Sequence, residues 1–352
     1  MLKVAVIGAT GAVGTQVLRI LESRGFPAGE LVPFASVRSR DKLISFRGRQ
    51  VPCRVLEPGC FTGVHVVFSD VSDELSRVWV PAAAEAGSWV IDNSATFRYD
   101  PRSLVVVPEV NGAAIDALLS RGIHDARDRI LCGPNCSTAQ LVVAIKPIAE
   151  RWGLRRVVVS TYQSTSGAGA RAVEELRSQT SDVLAGRPAK PQIFPHRIAF
   201  NCIPQIGGVK EDGSTSEEQK IVAETRKILG MPFLRVSATA VRVPTLACHG
   251  ESVNVECERP FELAEVRESL RAFPGVVVLD EPAQSIYPLG ESSEGSKVEG
   301  AAGRDAVYVG RIRRDPTLDN GLNLWVVSDN LRKGAALNAV QIGEILIEKG
   351  AL

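Results

Sequence analysis

The sequence has no excess of either charge, no cysteine pair with zinc-binding spacing, and no long apolar run. Lysine plus arginine number 41 and aspartate plus glutamate 40, so the net charge of +1 gives no support to binding nucleic acid or a membrane surface through charge. None of the seven cysteines forms a C-x-x-C pair, so we expect no metal site. No apolar run approaches the roughly 20 residues of a membrane span.

The remaining composition is typical of a globular protein. At 352 residues, 45% of them hydrophobic, the chain is long enough for about two domains. The cysteines are odd in number, and the chain enters an apolar segment at Leu2 without a basic targeting segment before it. We therefore expect reduced thiols and a cytoplasmic location.

A glycine motif follows the first apolar segment. Residues 2–7 have the continuous apolar character of a parallel strand buried on both faces, and Gly8, Gly11 and Gly14 follow before a helical pattern that ends at Arg24. In this variant of the dinucleotide fingerprint, the glycines let the backbone approach a pyrophosphate at the helix N-terminus. A glycine pattern alone is weak evidence, but the flanking strand and helix indicate a nucleotide site.

The loop after the second predicted strand indicates which nucleotide binds. The strand covers residues 31–35, and the loop contains Ser36, Arg38 and Ser39, whereas an NAD site usually has an acidic residue there to bind the ribose hydroxyls. Arg38 and Ser39 suit the 2′-phosphate of NADP, so NADP is the expected cofactor. The alternative is an ordinary solvated basic loop.

Further strands alternate with helices in the manner of a doubly wound α/β domain. Predicted strands at residues 64–68 and 89–91 flank a helix over residues 72–86, and the second strand leads towards Arg98. Because ligands of such sheets lie beyond the carboxyl ends of the strands, Arg98 is a candidate anion-binding residue. A surface arginine is an equally good interpretation.

Cys136 is the candidate nucleophile. It follows an apolar run at residues 129–131 and precedes a helical pattern that starts near Ala139. Backbone N–H groups and the positive end of a helix dipole at such a junction favour a reactive thiolate. Asn135 and Ser137 flank it with small polar groups suited to a developing oxyanion. A buried cysteine that caps the helix is the alternative.

A helix in the second half of the chain carries two opposite charges. Ser216 is the expected N-cap of this helix, which runs to Leu229. Glu217 and Lys220 are three residues apart and share one helix face. By themselves they indicate an ordinary surface ion pair.

Two further candidates lie on or beside predicted strands. A strand at residues 236–243 carries Arg242, and His249 lies at the edge between this strand and the next, over residues 252–257. Such an edge is where a catalytic base is presented. A lone histidine is more often structural, so both interpretations stay open.

Together, these parts suit the oxidation of an aldehyde through a thiohemiacetal and a thioester. Phosphate as the acyl acceptor would account for the extra cationic residues. Over nearly its whole length the sequence resembles the aspartate-β-semialdehyde dehydrogenase family. The segments that carry the resemblance are GATGAVG at Gly8, ASVRS at Ala35, IDNSATFR at Ile91, VVPEVN at Val106, GPNCST at Gly133, TYQSTSGAG at Thr161, SEEQK at Ser216, RVP at Arg242, VGRIRRD at Val309 and DNLRKGAA at Asp329.

The resemblance implies a Rossmann-type NADP-binding domain with an inserted α+β catalytic and dimerisation domain, an α/β architecture like that of glyceraldehyde-3-phosphate dehydrogenase. The first domain is expected to comprise residues 1–133 and 331–352, with a last helix from Leu331 to Glu348, and the inserted domain residues 134–330. The implied reaction is the reversible NADPH-dependent conversion of L-aspartyl-4-phosphate to aspartate semialdehyde and phosphate, in lysine, threonine, methionine and isoleucine synthesis. A homodimer or a dimer of dimers is also implied.

The resemblance further implies residue roles. Cys136 is the acyl-thioester nucleophile, His249 the general acid/base, and Gln163 orients the substrate at the thiol. The charged groups of the substrate are assigned to Arg242 for the α-carboxylate, Glu217 for the amino group, and Arg98 and Lys220 for the phosphate. Cofactor contacts are expected from Gly8, Thr10, Gly11, Ala12, Val13, Ser36, Arg38, Ser39, Ser166, Gly167 and Asn330.

Two departures from the family pattern concern the site. The family usually has Gly-His-Ser-Glu where this sequence has Cys248-His249-Gly250-Glu251, and the loop at residues 290–303 looks longer than usual. An N-acetyl-γ-glutamyl-phosphate reductase, with the same chemistry on a longer acylated substrate, is the nearer alternative, although that substrate has no free amino group for Glu217. A non-catalytic NADP-binding paralogue is the other.

Overall fold

The computed structural model describes residues 1–352, which form fourteen β-strands and nine α-helices. The elements up to residue 135 are, in chain order, β1 Leu2–Ile7, α1 Ala12–Ser23, β2 Ala28–Phe34, β3 Leu43–Phe46, β4 Arg49–Pro52, β5 Val66–Ser69, α2 Asp73–Glu85, β6 Trp89–Asp92, β7 Leu104–Val105, α3 Pro108–Asn111, α4 Ala114–Arg121 and β8 Ile130–Cys132. The elements after it are α5 Cys136–Trp152, β9 Arg156–Gln163, α6 Ala170–Leu184, α7 Ser216–Leu229, β10 Arg235–Arg242, β11 His249–Glu256, α8 Leu263–Ala272, β12 Val276–Val278, β13 Val307–Asp315, β14 Gly321–Ser328 and α9 Leu337–Glu348.

The chain divides into two compact units. The first unit comprises Met1–Asn135 together with Ala335–Leu352, and the second comprises Cys136–Gly334. The sequence-based boundaries were 133/134 and 330/331, a few residues before these division points. No helix in the structure is both long and apolar enough to cross a membrane.

The first unit is built on a parallel sheet of six strands in the order β2-β1-β5-β6-β8-β7. Its apolar strands bury alternate residues on opposite faces, because successive side chains of a strand point to opposite sides. In β1, Val4 and Val6 belong to one hydrophobic core, and Ala5 and Ile7 belong to the other. This two-sided burial explains the unbroken apolar run and confirms the predicted Rossmann-type sheet.

The start of β2 and the hairpin of β3 and β4 differ from the sequence-based prediction. Strand β2 begins at Ala28 and ends at Phe34, so it starts three residues before the predicted strand. The antiparallel hairpin of β3 and β4 was not predicted. Its strands have four residues each, and Leu43 at its start is 58% exposed. A short, exposed hairpin buries no regular face, so it has no apolar alternation to detect.

The second unit is built on a mixed sheet of six strands in the order β10-β9-β11-β14-β13-β12. Strand β9 is parallel to β10 and antiparallel to β11. Its burial alternates, so Thr161 and Gln163 are buried whereas Tyr162 is 40% exposed and lies 5.5 Å from the ring of Trp325. Helices α5, α7 and α8 pack against the strands. The buried ends of β9 and β11 therefore carry polar side chains.

The helices of the second unit begin at positions that matter for the site. Helix α5 starts at Cys136, three residues before the predicted start, so the thiol belongs to its first residue. The predicted N-cap of α7, Ser216, is wrong, because Thr215 caps this helix. Thr215 Oγ1 accepts from Glu218 N at 3.3 Å and the Glu218 carboxylate accepts from Thr215 N at 2.7 Å, which forms a capping box.

The C-terminal segment differs in detail from one continuous helix. A π-helical turn at Arg332–Ala336 precedes α9, so the regular helix starts at Leu337, six residues after the predicted start. Within the first unit, α9 contacts α1, and Asn338 Nδ2 donates to Val106 O at 2.8 Å.

Candidate active site

A thiol and an imidazole lie side by side in the second unit. Cys136 is the first residue of α5 and His249 is the first residue of β11, and the distance from Cys136 Sγ to His249 Nε2 is 3.2 Å. The backbone N–H groups at the start of a helix favour negative charge, so this end of α5 suits a thiolate. The predicted nucleophile and the predicted histidine are therefore in direct contact.

His249 is held on both its ring and its main chain. Ser164 N donates to His249 Nδ1 at 3.1 Å, and Gln140 Nε2 donates to His249 O at 3.3 Å. Ser328 Oγ in turn donates to Gln140 Oε1 at 2.8 Å. No sequence pattern indicated these three supports, although Gln140 is a buried polar residue that directly precedes the apolar buried part of α5.

The ring of His249 lies in surroundings that oppose a positive charge. It is fully buried, and burial together with the nearby Arg242 guanidinium lowers the pKa of His249 to about 3. The imidazole is therefore neutral at physiological pH, with a proton on one ring nitrogen and a lone pair on the other.

Arg242 is the cation of the site. It is the last residue of β10, only 6% exposed, and its Nη1 donates to Ser164 O at 2.7 Å. Burial lowers the pKa of Arg242, whereas negative charge at Cys136 and Glu217 raises it. Because a guanidinium keeps its proton in proteins, Arg242 supplies a permanent positive charge near the sulfur.

The first turn of α7 adds a carboxylate and an ammonium group. Lys220 Nζ lies 3.4 Å from Glu217 Oε2, so the two predicted partners contact each other. Gln163 Nε2 donates to Glu217 Oε1 at 3.4 Å and to Thr161 Oγ1 at 3.2 Å. The structure thus brings Gln163 at the end of β9 to Glu217, whereas their separation in sequence gives no sign of this contact.

Three of the predicted cofactor-binding residues also lie in the second unit. Ser166 Oγ donates to Asn330 Oδ1 at 3.0 Å. Gly167 lies against Arg242 and His249, since a Cβ atom on it would be 2.9 Å from Arg242 Nη1 and 3.1 Å from His249 Cε1. Any larger residue at position 167 would displace these two side chains.

The turn between β1 and α1 in the first unit fits a pyrophosphate. Gly8 has a φ of 85°, and a side chain there would collide with the Asp70 carbonyl oxygen. Helix α1 has Gly11 as its N-cap with no side-chain cap, and no acidic residue in its first turn. Its N-terminal N–H groups are thus available to an anion. Of the other predicted contacts, Thr10 lies in this turn, and Ala12 and Val13 are the first two residues of α1.

The loop after β2 contains the residues predicted to bind the 2′-phosphate. Arg38 and Ser39 lie in a single 3₁₀ turn over Val37–Ser39, preceded by Ser36. Ser36 and Arg38 are exposed, and this turn has no acidic residue. These side chains suit a phosphate better than the two ribose hydroxyls of NAD.

Arg98 and Asn135 complete the predicted set in the first unit. Arg98 is 5% exposed, so it is not a surface arginine, and its Nη2 donates to Asn93 O at 2.5 Å. Burial and Asp92 raise the pKa of Asp70 to about 6, whereas Arg98 acts in the opposite direction. Asn135 is 6% exposed and directly precedes Cys136. No cluster of side chains in the structure has the composition of a metal site.

The two departures from the family pattern have structural explanations. Cys248 has a φ of 66°, in the left-handed region where glycine is favoured. Its Sγ donates to Gly290 O at 3.3 Å, so it fastens the loop at residues 290–303 to the strand of His249. At Gly250 a side chain would collide with the indole of Trp325, which occupies that space. The altered residues therefore accommodate this loop and Trp325 while His249 stays beside Cys136.

A Rossmann-type unit and a unit that pairs a thiol with an imidazole are expected of a semialdehyde dehydrogenase, and two family models show that the chain belongs to this class. Residues 3–118 match the family model described as semialdehyde dehydrogenase, NAD binding domain, and residues 145–333 match semialdehyde dehydrogenase, dimerisation domain.

Similar proteins and solved structures identify the family within this class. The chain is 45% identical to the aspartate-semialdehyde dehydrogenase of Aquifex aeolicus over 352 residues, 99% of each chain. The structure of aspartate semialdehyde dehydrogenase II from Vibrio cholerae complexed with ASA matches with a TM-score of 0.91 at 43% identity, and the match covers 99% of this chain and 98% of that one. The Candida albicans enzyme with NADP matches over the whole of both chains with a TM-score of 0.75 at 26% identity. The chain belongs to the aspartate-semialdehyde dehydrogenase family.

Proposed function

We propose that this protein catalyses the reversible, NADP-dependent interconversion of L-aspartyl-4-phosphate with L-aspartate 4-semialdehyde and phosphate. The observation that carries the proposal is the contact of 3.2 Å between Cys136 Sγ and His249 Nε2, with Arg242 and the Glu217–Lys220 pair in the same unit. The enzyme is cytoplasmic, and its product, aspartate semialdehyde, is a precursor for the synthesis of lysine, threonine, methionine and isoleucine.

Cys136 forms the covalent bond in this mechanism. In the synthetic direction its thiolate attacks the acyl carbon of the acyl phosphate, the bond between that carbon and the phosphate oxygen breaks, and a thioester and free phosphate result. Reduction of the thioester gives a thiohemiacetal, which collapses to the aldehyde and the free thiolate. His249 interacts with the sulfur and with the developing oxyanion through Nε2, and Asn135, the residue directly before Cys136 in the sequence, is assigned to the same oxyanion.

The substrate is recognised by groups of matching charge. Arg242 binds the α-carboxylate and Glu217 binds the ammonium group, so a zwitterionic substrate is held by two opposite charges. Gln163, which already contacts Glu217, orients the substrate at the thiol. Lys220 binds the phosphate, and the family resemblance assigns Arg98 the same role.

The cofactor is NADP, which supplies or accepts the hydride when it is bound. The turn of Gly8, Thr10, Gly11, Ala12 and Val13 at the open N-terminus of α1 suits its pyrophosphate. Ser36, Arg38 and Ser39 suit the 2′-phosphate. Ser166, Gly167 and Asn330 of the second unit are assigned to the cofactor by the resemblance. The domain of residues 1–133 and 331–352 is the one that binds NADP. The domain of residues 134–330 is catalytic and forms the interface of a homodimer or of a dimer of dimers.

The test is the reduction of NADP⁺ with L-aspartate semialdehyde, with and without phosphate. N-acetylglutamate semialdehyde is measured beside it. We expect activity on the first substrate alone, and only when phosphate or arsenate is present. Activity on the acetylated substrate alone would instead support the N-acetyl-γ-glutamyl-phosphate reductase. Inactivity on both, in folded protein that binds NADP, would support the non-catalytic paralogue.

A pair of cysteine variants tests the covalent route. Cys136→Ala is expected to bind NADP without turnover, and measurable turnover in this variant would contradict the proposed thioester. Cys202 is an exposed free thiol and serves as the matched control, since Cys202→Ser should leave turnover unchanged.

A further inference from the structure

The main chain of Ser164 restricts where His249 can carry its proton. Ser164 N donates to His249 Nδ1 at 3.1 Å. A backbone N–H can only donate, so Nδ1 must present its lone pair. A neutral imidazole has one proton, and that proton must then be on Nε2.

The backbone of Ser164 is held so that this N–H keeps its direction. Ser164 is fully buried between the end of β9 and a 3₁₀ turn over Thr165–Ala168. Its carbonyl oxygen accepts from Arg242 Nη1 at 2.7 Å and from Gly167 N at 3.3 Å. The next amide, Thr165 N, donates to Thr245 O at 2.9 Å. A proton on His249 Nδ1 would therefore face a fixed N–H and leave that buried donor without an acceptor.

The Ser164 hydroxyl does not relieve this restriction. Its Oγ lies 3.3 Å from His249 Nδ1, 2.9 Å from Ser166 Oγ and 3.2 Å from Asn330 Oδ1. Asn330 Oδ1 can only accept, so the Ser164 hydroxyl proton has an acceptor away from the ring, and the hydroxyl lone pairs are then free to accept from a proton on Nδ1. Such a proton would still face the Ser164 main-chain N–H, which lies closer to Nδ1, at 3.1 Å. The main-chain N–H is thus the group that fixes the state of Nδ1.

The proton on Nε2 points at sulfur. With Nε2 3.2 Å from Cys136 Sγ, the N–H can donate to a thiolate. The charges around this pair come from Arg242 on β10 and from Glu217 and Lys220 on α7, with the buried Glu251 further along β11. Arg242 is the cation that both lowers the pKa of His249 and interacts favourably with a negative sulfur.

We infer that Ser164 is a positioning residue that fixes His249 as the neutral Nε2–H tautomer, so that His249 acts as a hydrogen-bond donor and gains no proton during the redox step. The inference rests on the proposed function. In the oxidative direction, the Cys136 thiolate adds to the aldehyde carbon, a C–S bond forms and the oxygen becomes an oxyanion. The C–H bond then breaks, the hydride passes to NADP⁺ and the C=O bond of the thioester forms. No proton is gained or lost in these two steps, so a neutral donor is sufficient.

The decisive measurement is ¹⁵N NMR of the full-length protein with labelled histidine. The chain has four histidines, and His249→Gln identifies the signals of His249 by their loss. We expect a protonated Nε2 and an unprotonated Nδ1 for His249, unchanged from pH 6 to pH 8. An imidazolium spectrum, or a proton on Nδ1, would overturn the inference. The measurement needs no substrate, so it is independent of whether the proposed reaction is correct.

Two variants at one position test the role of Ser164. Its φ of −67° is compatible with proline, and Gln163 before it is in an extended strand. Ser164→Ala and Ser164→Pro both remove the hydroxyl, but only the second removes the N–H. We expect His249 to keep the Nε2–H state in the alanine variant and to populate Nδ1-protonated forms in the proline variant. An identical Nε2–H spectrum in a folded proline variant would show that Ser164 does not set the tautomer. If that variant does not fold, the spectrum of the parent protein still decides between the two states.

Discussion

The isosteric substitution Glu217→Gln tests the proposed substrate most sharply. Glu217 is 7% exposed and contacts Lys220 Nζ and Gln163 Nε2, both at 3.4 Å, so it is held in place without a ligand. The amide has one oxygen, so it keeps only one of these two contacts, which use different carboxylate oxygens, and it loses the charge that would bind the substrate ammonium group. A hydrogen bond to a charged group contributes about 1.5–3 kcal/mol, so kcat/KM should fall about 10- to 150-fold. The loss should lie in KM, because the ammonium group takes no part in bond making.

The assay compares two aldehydes with both forms of the enzyme. L-aspartate semialdehyde has the ammonium group, whereas succinate semialdehyde is the same chain without it. We expect the Glu217→Gln penalty for the first substrate and little or none for the second, in phosphate-dependent reduction of NADP⁺. An equal loss on both aldehydes would show that Glu217 acts on the structure of the site and does not bind the ammonium group.

Three further substitutions test the cofactor and the buried acids. Arg38→Ala should raise the KM for NADP⁺ about tenfold or more and leave that for NAD⁺ unchanged in initial-rate assays. The pKa of Asp70 is about 6 in the folded protein, against an ordinary value of 3.8. The free energy of unfolding should therefore fall by up to about 3 kcal/mol as pH rises from 4 to 6. Urea unfolding of Asp70→Asn should not show this fall. Burial raises the pKa of Glu251 well above its ordinary value, so Glu251→Gln should raise Tm at pH 8 but not at pH 4.

The sign of these pH effects follows from which state binds more protons. A buried carboxyl group with a raised pKa stays protonated in the folded state while the unfolded state ionises, so stability decreases as pH rises from the unfolded pKa to the folded pKa. Glu251 is fully buried, and Gln140 is the one side chain that favours its ionised form, so the loss of hydration accounts for the cost of that form. A Tm gain of equal size at both pH values would indicate better packing instead.

Regular elements with a large buried face could be predicted from the sequence. Strand β1 and the glycine turn after it were recognisable because both faces of β1 are buried, which requires an unbroken apolar run. The hairpin of β3 and β4 could not be recognised, since it buries little. The N-cap of α7 was ambiguous because Thr215 and Ser216 each have a Glu or Gln three residues later.

The candidate residues of the site were found because their chemistry is visible in the sequence, whereas their supports were not. Cys136 and His249 are 113 residues apart and meet only because α5 and β11 pack together. Ser164 acts through its own main-chain N–H, and the side-chain amide of Gln140 donates to the main-chain carbonyl of His249, so no residue pattern encodes either contact. The same holds for Gly250, whose missing side chain is explained only by Trp325 on the neighbouring strand.

Pre-steady-state kinetics without phosphate tests whether Cys136 forms an acyl-thioester. Mixing the enzyme with L-aspartate semialdehyde and NADP⁺ should give a burst of NADPH of at most one equivalent per subunit, with little turnover after it. Mass spectrometry of the quenched protein should then find an aspartyl adduct on the peptide that contains Cys136, and added phosphate should release it. Absence of both burst and adduct in protein that turns over when phosphate is present, or an adduct on another cysteine, would contradict the account.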